Sequence, residues 1–299
     1  MPAPIALFVY NRPWHTARTV EALSRNNLAE ESDLIIFSDG VKNEKTKSQI
    51  DEVRAYIRGI KGFKSVKIFE SEKNKGLAQS IIDGVSLVLT EYEEIIVLED
   101  DLVTSVHFLD FMNQALTLYE REEKVISIHG YVYPVKESLP DTFFLRGSDC
   151  WGWATWKRGW ALFQSDGTKL LNGLKQQRLL NEFDFENSYS YSKMLSDQIA
   201  GKNDSWAVRW YASSFLENRL TLYPGISFVR NIGHDSSGTH SGSVRDFDVS
   251  LNTEPVKLLK LPLWEDSLAR KVIANYLKGV ENSITNKTVR KIKGLIKLI

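Results

Sequence analysis

The chain has 299 residues, enough to bury a large core as one big α/β domain or two small ones, and its 38 Lys and Arg balance 38 Asp and Glu. No net field therefore favours nucleic acid, and any such preference would have to come from a local patch. The single cysteine, Cys150, excludes an intramolecular disulfide framework and fits a reducing cytoplasm; no apolar run nears a membrane span, and the N-terminus lacks the pattern of a secretory signal.

The first hundred residues alternate strand-like and helix-like stretches. Ile5 to Tyr10, Leu34 to Phe37, Val66 to Phe69 and Ile95 to Leu98 are short, apolar runs, as expected of strands in a covered sheet. Asn11-Arg12-Pro13 opens a helix with Ala17, Val20 and Leu23 on one face. Ser38-Asp39-Gly40 is a turn before a charged helix reaching about Arg58, and Asn74-Lys75-Gly76 leads into a helical pattern over Leu77 to Leu89. This alternation predicts right-handed βαβ units and a largely parallel sheet flanked by helices.

In such a sheet the strand ends face one crevice, which collects Tyr10-Asn11-Arg12, Asp39, Asn74-Lys75-Gly76 and Glu99-Asp100-Asp101. Cations there suit a diphosphate, and carboxylates suit a base, a ribose and a metal. The acidic triplet is the strongest signal: three carboxylates on a buried strand end repel one another unless a cation or hydrogen-bond donors neutralise them. A divalent ion with a phosphorylated substrate does this, and a solvated acidic turn is the plainer alternative. Neither a Gly-x-Gly-x-x-Gly nor a P-loop motif is present, which disfavours dinucleotide dehydrogenases and P-loop enzymes.

Further along, residues 151–160 hold four of the eight tryptophans. Trp151-Gly152-Trp153 are candidates for stacking on a sugar, the acceptor in a transferase, since an indole offers an apolar face and one N–H; Trp156 and Trp160, four apart, read better as core. Cys150, beside Asp149, reads as packing. Asp204-Ser205-Trp206 starts a helix running to Leu216, with Asp204 in N-cap position. Residues 233–240 form a Gly/Ser-rich loop in which His234 and His240 are candidate metal or phosphate contacts. A last amphipathic helix is expected from Glu265 to about Val280, with Asp266 as its cap and Leu268, Val272, Ile273, Tyr276 and Leu277 on one face. Residues 287–299 carry five cations, no acids and an apolar stripe, which fits either an anionic membrane surface or docking on the fold or on a dimer partner.

Taken in order, these motifs resemble the GT-A-fold glycosyltransferases, family-2-like enzymes and the N-acetylglucosaminyltransferase I group among them. Phe8-Val9-Tyr10-Asn11-Arg12 looks like their first strand and donor-binding Arg, and Phe37-Ser38-Asp39-Gly40 like the turn whose Asp contacts uracil. Asn74-Lys75-Gly76-Leu77-Ala78 is similar to their Asn-x-Gly-Leu-Ala element. Leu98-Glu99-Asp100-Asp101 resembles the acidic triplet whose last Asp holds manganese on a UDP-sugar diphosphate.

The resemblance implies an α/β GT-A fold: a Rossmann-like nucleotide-binding sheet, mostly parallel, with a C-terminal helical tail. A catalytic domain would span 1–264, with a donor half 1–104 and an acceptor half 105–264, and the basic tail 265–299. It also implies inverting, Mn2+- or Mg2+-dependent transfer from a UDP-sugar to a glycan or lipid-linked glycan in bacterial surface-polysaccharide synthesis at the inner membrane face. Asp204 would be the base, Asp101 the metal ligand with His234 a weaker candidate, and Tyr10, Asn11, Arg12, Asp39, Asn74, Lys75, Gly76, Glu99 and Asp100 the donor contacts. Ser205 departs from the family, which has a second Asp there, so only Asp204 carries over, with Asp197 and Asp149 as the competing carboxylates for the base. A non-catalytic sugar-binding module and a sugar nucleotidyltransferase are the alternatives; the latter lacks its expected glycine-rich loop, since Val9-Tyr10-Asn11-Arg12-Pro13 has no glycine.

Overall fold

The computed structural model describes residues 1–235 and 245–296, with side chains of the last helix through Asn282. The strands are β1 Ile5–Val9, β2 Asp33–Ser38, β3 Ser65–Glu70, β4 Glu94–Glu99, β5 Leu102–Thr104, β6 Val125–His129, β7 Thr142–Arg146, β8 Trp153–Trp156, β9 Leu220–Pro224 and β10 Val229–Asn231. Eight of them form one sheet in the order β3-β2-β1-β4-β8-β6-β9-β7, and β5 pairs with β10 in a small antiparallel ribbon. Strands β1 to β4, β6 and β9 run the same way; β8 opposes both β4 and β6, and β7 opposes β9. The result is an α/β fold of the GT-A kind, with a mostly parallel sheet covered by helices on both faces.

Side-chain alternation builds the two faces. Ile5, Leu7 and Val9 with Ile96 and Leu98 point to one face, which is closed by the helices Pro13–Leu23, Glu44–Ile57 and Phe108–Tyr119. Ala6, Phe8, Ile95 and Val97 point to the other, beneath the helix Leu77–Glu91. Trp153 falls on this second face, where it packs against Trp160, Trp206 and Trp210. It has no exposed surface. The expected acceptor contact by Trp153 is therefore corrected to a core role, imposed by its place on a strand hydrogen-bonded on both sides. Trp156 and Trp160 are buried, as expected.

The last helix, Ser267–Ile296, is capped by Asp266, whose Oδ1 accepts from Ala269 N at 2.8 Å. Val272, Ile273 and Leu277 are buried and Tyr276 packs against the core, as expected, while Leu268 faces solvent and Ala269 enters the core beside Ile273. A boundary between 264 and 265 thus cuts ahead of a packed element. The side chains of 287–299, on which the membrane expectation rests, lie outside the described residues, as does His240.

Candidate active site

Because β8 is antiparallel to its neighbours, its N-terminal end shares an edge of the sheet with the C-terminal ends of β1, β2, β4 and β6. On this edge Tyr10 N donates to Asp100 Oδ2 at 3.2 Å, and Thr19 Oγ1 donates to the Asp100 carbonyl at 2.9 Å. Arg12 Nη1 donates to Asp101 Oδ2 at 2.7 Å. One guanidinium therefore faces three carboxyls. Burial, then repulsion from Asp101 and Asp100, pushes Glu99 well above the usual carboxylate range; burial and Asp101 push Asp100 up to about 7, against the opposing pull of Arg12 and Tyr10 N.

The β5–β10 ribbon brings a distant segment to this site. Ile232 N donates to the Asp101 carbonyl at 2.9 Å, which lays Gly233 against the Asp101 side chain. A Cβ at Gly233 would collide with the Asp101 carboxylate, so a larger residue there would push the Asp101 side chain from its place beside Arg12. Asp235 follows, with Oδ1 3.6 Å from Arg12 Nη2 and Oδ2 3.0 Å from His15 Nε2. His15 and Asp235 escaped sequence reading; the only signal was the position of His15 one helical turn after Arg12. His234 stands edge-on to Trp151, ring centroids 5.4 Å apart, and its Nε2 is buried with no hydrogen-bond partner.

Asp39 has a different duty from the one expected. Its Oδ1 accepts from Gly40 N and Lys75 N at 2.8 Å each, and its Oδ2 accepts from Asn74 Nδ2 at 2.8 Å and Gly76 N at 2.9 Å. A carboxylate has about four acceptor positions, and all are used. Asp39 thus fixes the Asn74-Lys75-Gly76 turn, where Gly76 takes a positive φ of 79°. The uracil contact is corrected accordingly: Asp39 acts through that turn. Lys75 Nζ is held by Asp83 at 2.9 Å, and Asn11 Nδ2 by Gln49 at 3.2 Å, both at the rim.

Trp151 is half-buried among Tyr131, His234 and Phe247, and Gly152 lies buried beneath it. Asp204 precedes the helix Trp206–Leu216, but Ser205 supplies the cap, accepting from Val208 N at 3.2 Å. The Asp204 side chain is 69% exposed and 3.3 Å from Arg209 Nη2. It is therefore available to a ligand and is not the cap. Among the described residues no three His, Cys, Asp or Glu side chains form a metal-holding cluster. The Asp101 carboxylate, bonded to Arg12, and His234 Nε2, buried without a partner, are an oxygen and a nitrogen donor of the kinds that would suit a manganese-type ion.

Residues 5–151 match the family described as Glycosyl transferase family 2. No curated protein matches the chain. Among solved structures it is similar to a mannosyltransferase from Pyrobaculum calidifontis in complex with GDP-Man and Mn2+, at 13% identity and a TM-score of 0.32, covering 44% of this chain and 38% of that one. It is also similar to a cytidylyltransferase from Leptospira borgpetersenii, at 13% identity and 0.32, covering 54% and 63%. A third is S. aureus TarS, at 12% and 0.31, covering 49% and 25%. The chain thus spans less than two thirds of each of these proteins.

Proposed function

We propose that this chain, which matches Glycosyl transferase family 2 over residues 5–151, transfers a sugar with inversion from a UDP-sugar to a glycan or lipid-linked glycan acceptor. The observation that supports this best is the convergence of Arg12, the acidic triplet and the Gly233–Asp235 segment on one sheet edge, beside the turn Asn74–Gly76. The ordered motifs point more finely to the N-acetylglucosaminyltransferase I group.

In this reading Arg12 and the backbone of the Asn74–Gly76 turn receive the nucleotide, and Asp101 with His234 would hold Mn2+ or Mg2+. Such an ion, when bound, supplies Lewis-acid stabilisation of the charge gathering on the diphosphate leaving group. Asp204, exposed before its helix, removes the proton of the acceptor hydroxyl as that oxygen attacks the anomeric carbon, and a single displacement with one base inverts it. Trp151 and the buried Gly152 shape the acceptor side. Cytoplasmic work at an anionic membrane through 287–299 rests on the sequence of that basic, apolar-striped segment, and so does docking of the segment on a dimer partner.

Thermal-shift measurement tests the reading directly. UDP with Mn2+ should raise the melting temperature more than UDP with EDTA, because a ligand bound to the native state adds apparent stability. An equal shift from GDP, CDP and UDP, or none from any, counts against a UDP-sugar donor.

A further inference from the structure

Residues 148–151 lead into β8 beside the acidic triplet, and they hold a second carboxylate, that of Asp149, a quarter exposed. Its surroundings are hydroxyls, not cations. Oδ1 accepts from Cys150 N at 2.8 Å, and Oδ2 accepts from Tyr133 Oη at 3.3 Å. Tyr133 Oη in turn lies 3.3 Å from Tyr191 Oη, so one carboxylate and two phenols form a chain from the end of β6 to the helix Tyr191–Ile199. The imidazole of His129 has Nε2 3.9 Å from Asp149 Oδ1. That nitrogen accepts from Trp151 N at 3.0 Å, and burial lowers the His129 pKa, so the ring is neutral.

No Lys or Arg among the described residues pairs with Asp149. An anion left without a cation is costly to bury unless donors surround it. The phenols meet that need: burial and the Asp149 charge push Tyr133 and Tyr191 well above their usual range, which keeps both protonated as donors. Of about four acceptor positions on the carboxylate, Cys150 N, Tyr133 Oη and the Cys150 thiol engage three, which leaves capacity for a further donor. Next to it Ser148 Oγ is buried, 4% exposed, with no partner, and His234 Nε2 is likewise unpartnered against Trp151. That acceptor capacity, unpartnered polar atoms and a half-buried indole together are suited to sugar hydroxyls. Asp197, the other carboxylate in this half that sequence singles out, is already engaged by Lys193 and Lys202.

We propose that Asp149, oriented by Tyr133 and Tyr191, binds hydroxyls of the carbohydrate acceptor and selects an uncharged sugar at that position. The proposal rests on the glycosyltransferase reading and names the substrate class of its acceptor side. An uncompensated carboxylate accepts hydrogen bonds from a neutral sugar and repels a uronic acid or a phosphate placed there.

The test uses the full chain loaded with UDP and a panel of methyl glycosides of neutral hexoses, followed by saturation-transfer NMR, with UDP affinity measured separately by calorimetry. At least one glycoside should bind, and Asp149→Asn should weaken it by about ten- to hundredfold, the range for one hydrogen bond to a charged group, with UDP affinity unchanged. Tyr133→Phe keeps the ring and should weaken the glycoside by a smaller factor, about three- to tenfold; it carries the test if the Asp149 variant does not fold. Glycoside affinity unchanged in a folded variant, no glycoside bound by the UDP-loaded wild type, or a methyl glucuronide bound as well as its neutral counterpart would each overturn the proposal. Failure of the wild type to bind UDP is a separate result, which strikes the donor reading; the glycoside titration is then read on the free chain by the same criteria.

Discussion

Asp100 shows how a single side chain records the charge balance of the site. Its carboxyl is held at about 7 by burial and by Asp101, above the ordinary value of 3.8. In the unfolded chain it ionises near the ordinary value, so between about pH 4 and 7 the folded state binds the extra proton and stability falls as pH rises; above 7 the loss is complete. Asp100→Asn removes that loss while Oδ1 can still accept from Tyr10 N. The variant should therefore gain more in melting temperature over wild type at pH 8 than at pH 5, and a gain that is equal at both would contradict the burial argument. The triplet itself was legible in the sequence, because an apolar run ending on three acids has few neutral explanations. Asp39 was not, because its four donors include three from a turn some 35 residues away that no local pattern announces. Trp153 misled for the opposite reason: four tryptophans in ten residues look like a ligand surface, while strand alternation sends this one inward.

Elements show the same split. The βα units of the first half were readable from apolar runs set between turn residues, and their ends fall within a few residues of those expected. In the second half β6, β7 and β9 gave no comparable rhythm, since their order in the sheet is not their order in the chain and two of the strands there are reversed. The start of the helix Trp206–Leu216 is a sharper case. Asp204 and Ser205 are adjacent candidates for the cap, and the side-chain bond from Val208 N decides for Ser205. Ser205→Ala should then cost about 1 kcal/mol, a few degrees in melting temperature for a chain of this size. Asp204→Asn should leave the melting temperature nearly unchanged, because an exposed pair with Arg209 is worth little. It should instead lower turnover, measured as UDP release with acceptor present, by about a hundredfold or more. Early melting of the Asp204 variant with normal turnover would reverse the two assignments.

At the scale of the whole molecule, residues 1–104 and 105–264 are joined by the pairing of β4 with β8 and cannot be parted without opening the sheet. The C-terminal region divides differently from the way its charge suggests. Glu265 accepts from Arg146 N at 2.8 Å, Asp266 N donates to the Phe144 carbonyl at 2.8 Å, and Ala269, Ile273 and Leu277 are buried in the main core. Burying Ile273 and Leu277 alone contributes about 1.5 to 3 kcal/mol each, a large part of the roughly 5 to 15 kcal/mol that separates a folded domain from its unfolded chain. Removal of residues 265–299 should therefore give an aggregating or early-melting protein. Removal of 287–299 should leave UDP affinity within error of wild type, because none of the proposed site residues lies there. If that shorter deletion abolishes salt-sensitive binding to anionic vesicles and leaves UDP affinity intact, the basic segment serves the membrane; if it lowers the melting temperature sharply, the segment belongs to the fold.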